Sequence, residues 1–192
     1  YLSTEKIFEA FGVPVPTLRE YQNEIESDFS KFYIQHGIAN FDLNINNTIR
    51  TRVFEENWDK VELHGPVVTN RILLCLKELG LRLAIVSAEL PEILARRMEQ
   101  FQLGDVFDYV RGGTWPKNAA LGEVLVHFGV KPEETFYIDD TYEGISIAKE
   151  HGMKTFGFTE GYNTRERIID AKPTYVVSSL EEAFFVLDRA LR

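Results

Sequence analysis

From residue 83 onward, short continuously apolar runs alternate with stretches whose apolar residues recur every three or four positions. Few folds accommodate that rhythm. A short buried strand followed by an amphipathic helix, repeated several times, predicts an α/β fold: a doubly wound parallel sheet with right-handed crossovers. The expected strands are 83–86, ending at Ser87; 107–110, leading into Arg111-Gly112-Gly113; 136–138, rising to Asp139 and Asp140; 154–158; and 175–177. Between them, Pro91 and Lys117 open helices, Gly80 and Gly129 suit left-handed helix ends, and Asn163-x-x-Glu166 and Ser179-x-x-Glu182 read as helix starts.

Residues 1–62 follow another rule. Ile7, Phe8 and Phe11 share one face of a short helix that stops near Gly12. Thr17-x-x-Glu20 is a capping box, and Leu18, Tyr21, Ile25, Phe29, Phe32 and Tyr33 predict one continuous helix from there to Gly37. A third helix is expected over 47–61, with Ile49, Val53, Phe54, Trp58 and Val61 on its apolar side. The chain therefore divides into a helical bundle at 1–62 and an α/β core at 63–192, with no repeat or low-complexity linker between them.

The net charge of −9 argues against a broad nucleic-acid footprint, though not against a small phosphorylated ligand that one metal and one lysine could neutralise. Cys75 is the single cysteine, which excludes a disulfide framework and a cysteine zinc site, and its leucine neighbours predict a buried, inert thiol. His36, His64, His127 and His151 share no metal-ligand spacing. No apolar run approaches membrane-spanning length and no secretory leader is visible, so no membrane partner and a cytoplasmic location are expected.

Three polar features stand where strands end or helices begin. Asp139 and Asp140 follow an apolar strand and precede a helix, the position at which open α/β sheets bind ligands. Adjacent ionised carboxylates repel, and a hard cation such as Mg²⁺, held by one or two carboxylates plus phosphate oxygens, relieves the conflict. A solvated acidic loop is the plainer alternative. Ser87, with the N–H of Ala88, could bind an oxyanion, or it could cap the helix beginning at Pro91. Lys117 at a helix start opposes the helix dipole unless an anion lies nearby; otherwise it is a surface lysine.

Taken in order, Val86-Ser87-Ala88, Lys117 and Ile138-Asp139-Asp140-Thr141-x-x-Gly144-Ile145 resemble the second, third and fourth motifs of the haloacid dehalogenase (HAD) superfamily, within the group of β-phosphoglucomutase and phosphoglycolate phosphatase-like enzymes. The ending, from Gly157-Phe158-Thr159-Glu160-Gly161-Tyr162 to Ser179-Leu180-Glu181-Glu182, is similar as well. The resemblance implies a HAD-like core under an α-helical cap. It also implies phosphate binding by Ser87, Ala88 and Lys117, a catalytic role for Lys117, Mg²⁺ held by Asp139 and Asp140, and a small phosphorylated metabolite as substrate.

The family's nucleophile, the first Asp of an Asp-x-Asp motif on the central strand, has no counterpart before Tyr1. The internal imitation Phe41-Asp42-Leu43-Asn44 lacks a preceding strand. The resemblance thus implies a phosphomonoester hydrolase working through an aspartyl-phosphate whose nucleophile lies upstream. It further implies two unpaired strand edges in the sheet and little activity in residues 1–192 alone. A phosphomutase and a non-catalytic scaffold are the rival readings.

Overall fold

The computed structural model describes residues 1–26, 28–57 and 66–191. It divides into two compact units, Tyr1–His64 and Gly65–Arg192. The boundary expected between residues 62 and 63, Trp58, Val61 and His64 all lie outside the described residues.

The first unit is built from α1 (Leu2–Ala10), α2 (Leu18–Glu24), α3 (Phe29–Gln35) and α4 (Leu43–Asn57). Its core joins Ile7 and Phe8 of α1 to Tyr21, Ile25, Phe32, Tyr33 and Ile38. Phe8 meets Phe32 edge to face and Tyr33 at a tilt, and Tyr21 meets Phe32 edge to face. The Thr17–Glu20 capping box forms as expected. The continuous helix over 18–37 does not. Ile25 turns to extended backbone (ψ 128°) and ends α2, and a new helix begins at Phe29. An unbroken helix there would run about 30 Å, roughly twice the length of α1. The break lets Tyr21 of α2 and Phe32 of α3 meet within the one core that also holds Phe8. The third helix also begins earlier than expected, at Leu43, because the Asp42 carboxylate accepts from the backbone N–H groups of Asn44 and Ile45. Asp42 is therefore a helix cap, which accounts for the internal imitation of a catalytic motif.

The second unit carries α5 (Pro66–Glu78), β1 (Ala84–Val86), α6 (Pro91–Gln100), β2 (Tyr109–Arg111), α7 (Asn118–Phe128), β3 (Phe136–Asp139), α8 (Tyr142–Glu150), β4 (Lys154–Phe158), α9 (Arg165–Asp170), β5 (Tyr175–Val177) and α10 (Leu180–Leu191). All strand pairings are parallel, as the alternation predicts. They form two pieces: β1 with β2, and β3 with β4 and β5. Among the described residues no ladder joins β1 to β3, so each pairs on one side only. Both pieces nevertheless send a side chain into one cluster, where Val86 of β1 and Tyr137 of β3 pack against Leu121 of α7, Ile147 and Ala148 of α8, and Met153 just before β4. On the opposite face of β3, Phe136 packs into a cluster with Phe156 and Val177, while Ile138 is 41% exposed.

Two smaller expectations shift. Thr164, not Asn163, caps α9, its hydroxyl accepting from the Arg167 N–H. Cys75 is half-buried rather than enclosed.

Candidate active site

The strand's two-residue period puts Tyr137 and Asp139 on one face of β3. Asp139 ends the strand, buried, and its carboxylate is surrounded by donors. Oδ1 accepts from the Thr141 N–H (2.8 Å) and hydroxyl (2.5 Å); Oδ2 accepts from the Tyr137 hydroxyl (2.5 Å) and from Lys117 Nζ (2.6 Å). A carboxylate has about four lone-pair sites, and here four donors occupy them. Lys117 stands at the N-cap position of α7, so the anion that offsets its opposition to the helix dipole is Asp139.

The backbone is shaped around this carboxylate. The Thr141 hydroxyl accepts from the Gly144 N–H and so caps α8. A Cβ on Gly144 would stand 2.5 Å from Asp139 Cγ and 2.7 Å from Oδ1, so only glycine lets the first turn of α8 approach. Gly161 does the same for the neighbouring acid: its Cβ would lie 2.7 Å from Asp140 Cγ.

Asp140 has a different environment. Its Oδ2 accepts from the Tyr162 N–H (2.9 Å). Among the described residues no other residue directs a hydrogen-bond donor at its Oδ1. Burial, and then the charge of Asp139, push its carboxyl pKa up from the usual carboxylate range. The loop after β4 braces this corner through Asn163, which is buried. Its N–H donates to the Asp140 carbonyl (3.0 Å) and its Oδ1 accepts from the Tyr142 N–H (2.7 Å) at the start of α8.

Ser87 ends β1. Its hydroxyl does not cap α6, whose N-cap is Leu90 without a side-chain cap; it accepts from the Glu89 N–H (3.1 Å). That bond uses a lone pair and leaves the hydroxyl proton available to donate. Ala88 N–H meets no acceptor among the described residues. The Ser87 carbonyl accepts from Thr114 N–H, tying the serine to the segment that leads to Lys117.

The structure thus brings Lys117 and Asp139 into contact, sets Asp140 beside them, and links Ser87 and Ala88 only indirectly, through Thr114 and through Val86 in the shared cluster. Sequence reasoning missed Tyr137 and Asn163. Tyr137 could have been found from its position two residues before Asp139; Asn163 could not, because its role depends on a loop returning from β4. Trp115, two residues before Lys117, is 43% exposed.

Parallel strands with crossover helices, and polar groups gathered at the strands' carboxyl ends, define a ligand-binding α/β domain. The model of the haloacid dehalogenase-like hydrolase family matches residues 1–158. The chain belongs to that family. It is 28% identical over 120 residues to phosphoglycolate phosphatase 1 of Pseudomonas aeruginosa, covering 60% of this chain and 44% of that protein. It is 29% identical over 139 residues to a phosphoglycolate phosphatase of Vibrio vulnificus, covering 70% and 60% respectively. The chain thus spans about half the length of the curated relatives it matches. Among solved structures it is similar to a predicted phosphatase from Clostridium acetobutylicum (TM-score 0.74, 17% identity, 98% of this chain and 89% of that one). It is also similar to a predicted phosphoglycolate phosphatase from Haemophilus somnus (TM-score 0.72, 16% identity, 97% and 89%).

Proposed function

We propose that this chain carries the phosphate-handling and metal-handling parts of a Mg²⁺-dependent phosphomonoester hydrolase acting on a small phosphorylated metabolite. The observation that carries the reading is the buried Lys117–Asp139 pair at the carboxyl end of β3, with Asp140 beside it. Phosphoryl transfer depends mostly on positioning and on neutralising charge, and Lys117 offers both.

The residues fit a magnesium ion unevenly. Asp140 is raised in pKa by burial and by Asp139, and its Oδ1 lacks a donor from any other residue, so it suits a direct ligand. Asp139, with four donors, is better suited to steady Lys117 and to act on the metal through water. Bound there, Mg²⁺ would draw charge from a phosphoryl group. Around that group Ser87 Oγ and the Ala88 N–H would donate to one oxygen, and Lys117 Nζ to another.

In this reading the attacking carboxylate comes from an upstream segment that pairs between β1 and β3. The unpaired sides of those strands and the exposed Ile138 support it. The matches to phosphoglycolate phosphatases favour a small phosphorylated acid over a phosphorylated macromolecule. A panel of phosphorylated metabolites, offered with Mg²⁺ to the protein extended by its native upstream coding sequence, tests the assignment. Release of phosphate from a small phosphomonoester supports it. A requirement for a sugar bisphosphate would replace it with a mutase, and inactivity despite an upstream Asp-x-Asp would favour a scaffold.

A further inference from the structure

We propose that Tyr137 is a positioning residue for Lys117, aiming the lysine's remaining N–H at the phosphoryl oxygen. This rests on the phosphate-binding role proposed above for Lys117. The Tyr137 hydroxyl stands beside both charges of the pair, donating to Asp139 Oδ2 (2.5 Å) and accepting from Lys117 Nζ (3.2 Å). A phenol carries its proton at neutral pH, so the hydroxyl serves as a donor to the carboxylate. Its only remaining role toward Lys117 is that of acceptor.

An ammonium has three N–H donors at tetrahedral angles. Asp139 takes one and Tyr137 takes a second. No third acceptor is present among the described residues. With two directions fixed, the third is fixed too. A lysine held by Asp139 alone could swing about that one contact. With Tyr137 as a second anchor it presents one donor in one direction, as preorganised stabilisation of a phosphoryl group requires. Phenylalanine would fill the same space in the Leu121–Met153 cluster, so packing alone does not call for the hydroxyl.

The test is a titration of inorganic phosphate, in the presence of Mg²⁺, into the 192-residue protein and its Y137F and K117M variants, followed by calorimetry. Loss of one positioned hydrogen bond should weaken phosphate binding by Y137F about five- to tenfold, with affinity for Mg²⁺ alone unchanged, while K117M loses phosphate binding altogether. The unmutated protein provides a second, independent readout: the Lys117 ammonium should give a ¹⁵N–¹H resonance protected from solvent exchange, with a contact to the Tyr137 hydroxyl. Phosphate binding by Y137F within about twofold of wild type, or an unprotected ammonium in the wild type, overturns the proposal. Parallel loss of phosphate binding, Mg²⁺ binding and thermal stability in Y137F also overturns it, because the hydroxyl would then serve the fold. If wild type and K117M bind phosphate equally, the reading of Lys117 itself fails and the proposal falls with it.

Discussion

Lys117 Nζ and Asp139 Oδ2 are 2.6 Å apart across 22 residues of sequence, with their side chains 16% and 3% exposed. The pair joins the start of α7 to the end of β3, so it belongs to the fold as much as to the chemistry. Breaking a buried pair by removing one partner strands the other charge, at a cost of about 3–5 kcal/mol. The Thr141 and Tyr137 donors that remain on Asp139 should hold K117M to the lower end of that range. Denaturant unfolding of K117M against wild type measures it.

Gly144 sets up a test of sign. Gly→Ala inside a helix ordinarily stabilises by about 0.5–1 kcal/mol. Here the new Cβ meets the Asp139 carboxylate, which four hydrogen bonds hold in place. G144A should therefore destabilise, by about 1–3 kcal/mol as overpacking does. Thermal unfolding reads the direction at once.

Asp140 makes stability depend on pH in a defined direction. Its folded pKa is raised by burial and by Asp139, so between the ordinary carboxylate value and that raised value the folded state binds more protons than the unfolded one. Stability without metal should fall as pH rises through that window. D140N removes the ionisation, so it should be more stable than wild type at neutral pH, with the gap closing toward acid. Paired denaturation curves across pH measure the closing.

Magnesium should act through the same side chain. Added Mg²⁺ should raise the melting temperature of the wild-type protein at neutral pH, by an amount that grows with metal concentration. D140N should lose that rise, and Y137F should keep it. A thermal shift series with Ca²⁺ as a comparison cation reads both.

The alternation of 83–192 was legible because strand and helix periods differ, and the matched elements fall within a residue or two of expectation. The helix break at Ile25 was not legible. The stripe from Leu18 to Tyr33 is helical throughout, and only the short α1 against which it packs requires a turn. The acids, the lysine and the serine could be chosen from their places at strand ends and helix starts. How the two acids differ could not. That depends on Lys117 arriving from 22 residues away to complete the donor set of Asp139, and on Tyr162 and Asn163 returning to Asp140 from the loop after β4. Tyr137 was hidden for another reason: within an apolar strand an aromatic counts as core, and its hydroxyl matters only once its neighbours are known.

The central claim is that Lys117 and its two acids serve phosphoryl transfer completed by an upstream strand. Phosphate release from a phosphomonoester with Mg²⁺ tests it most directly, compared across residues 1–192, the natively extended protein and the extended protein carrying K117M. The account predicts turnover in the extended protein alone. Turnover by residues 1–192, or undiminished turnover in the extended K117M variant, would contradict it.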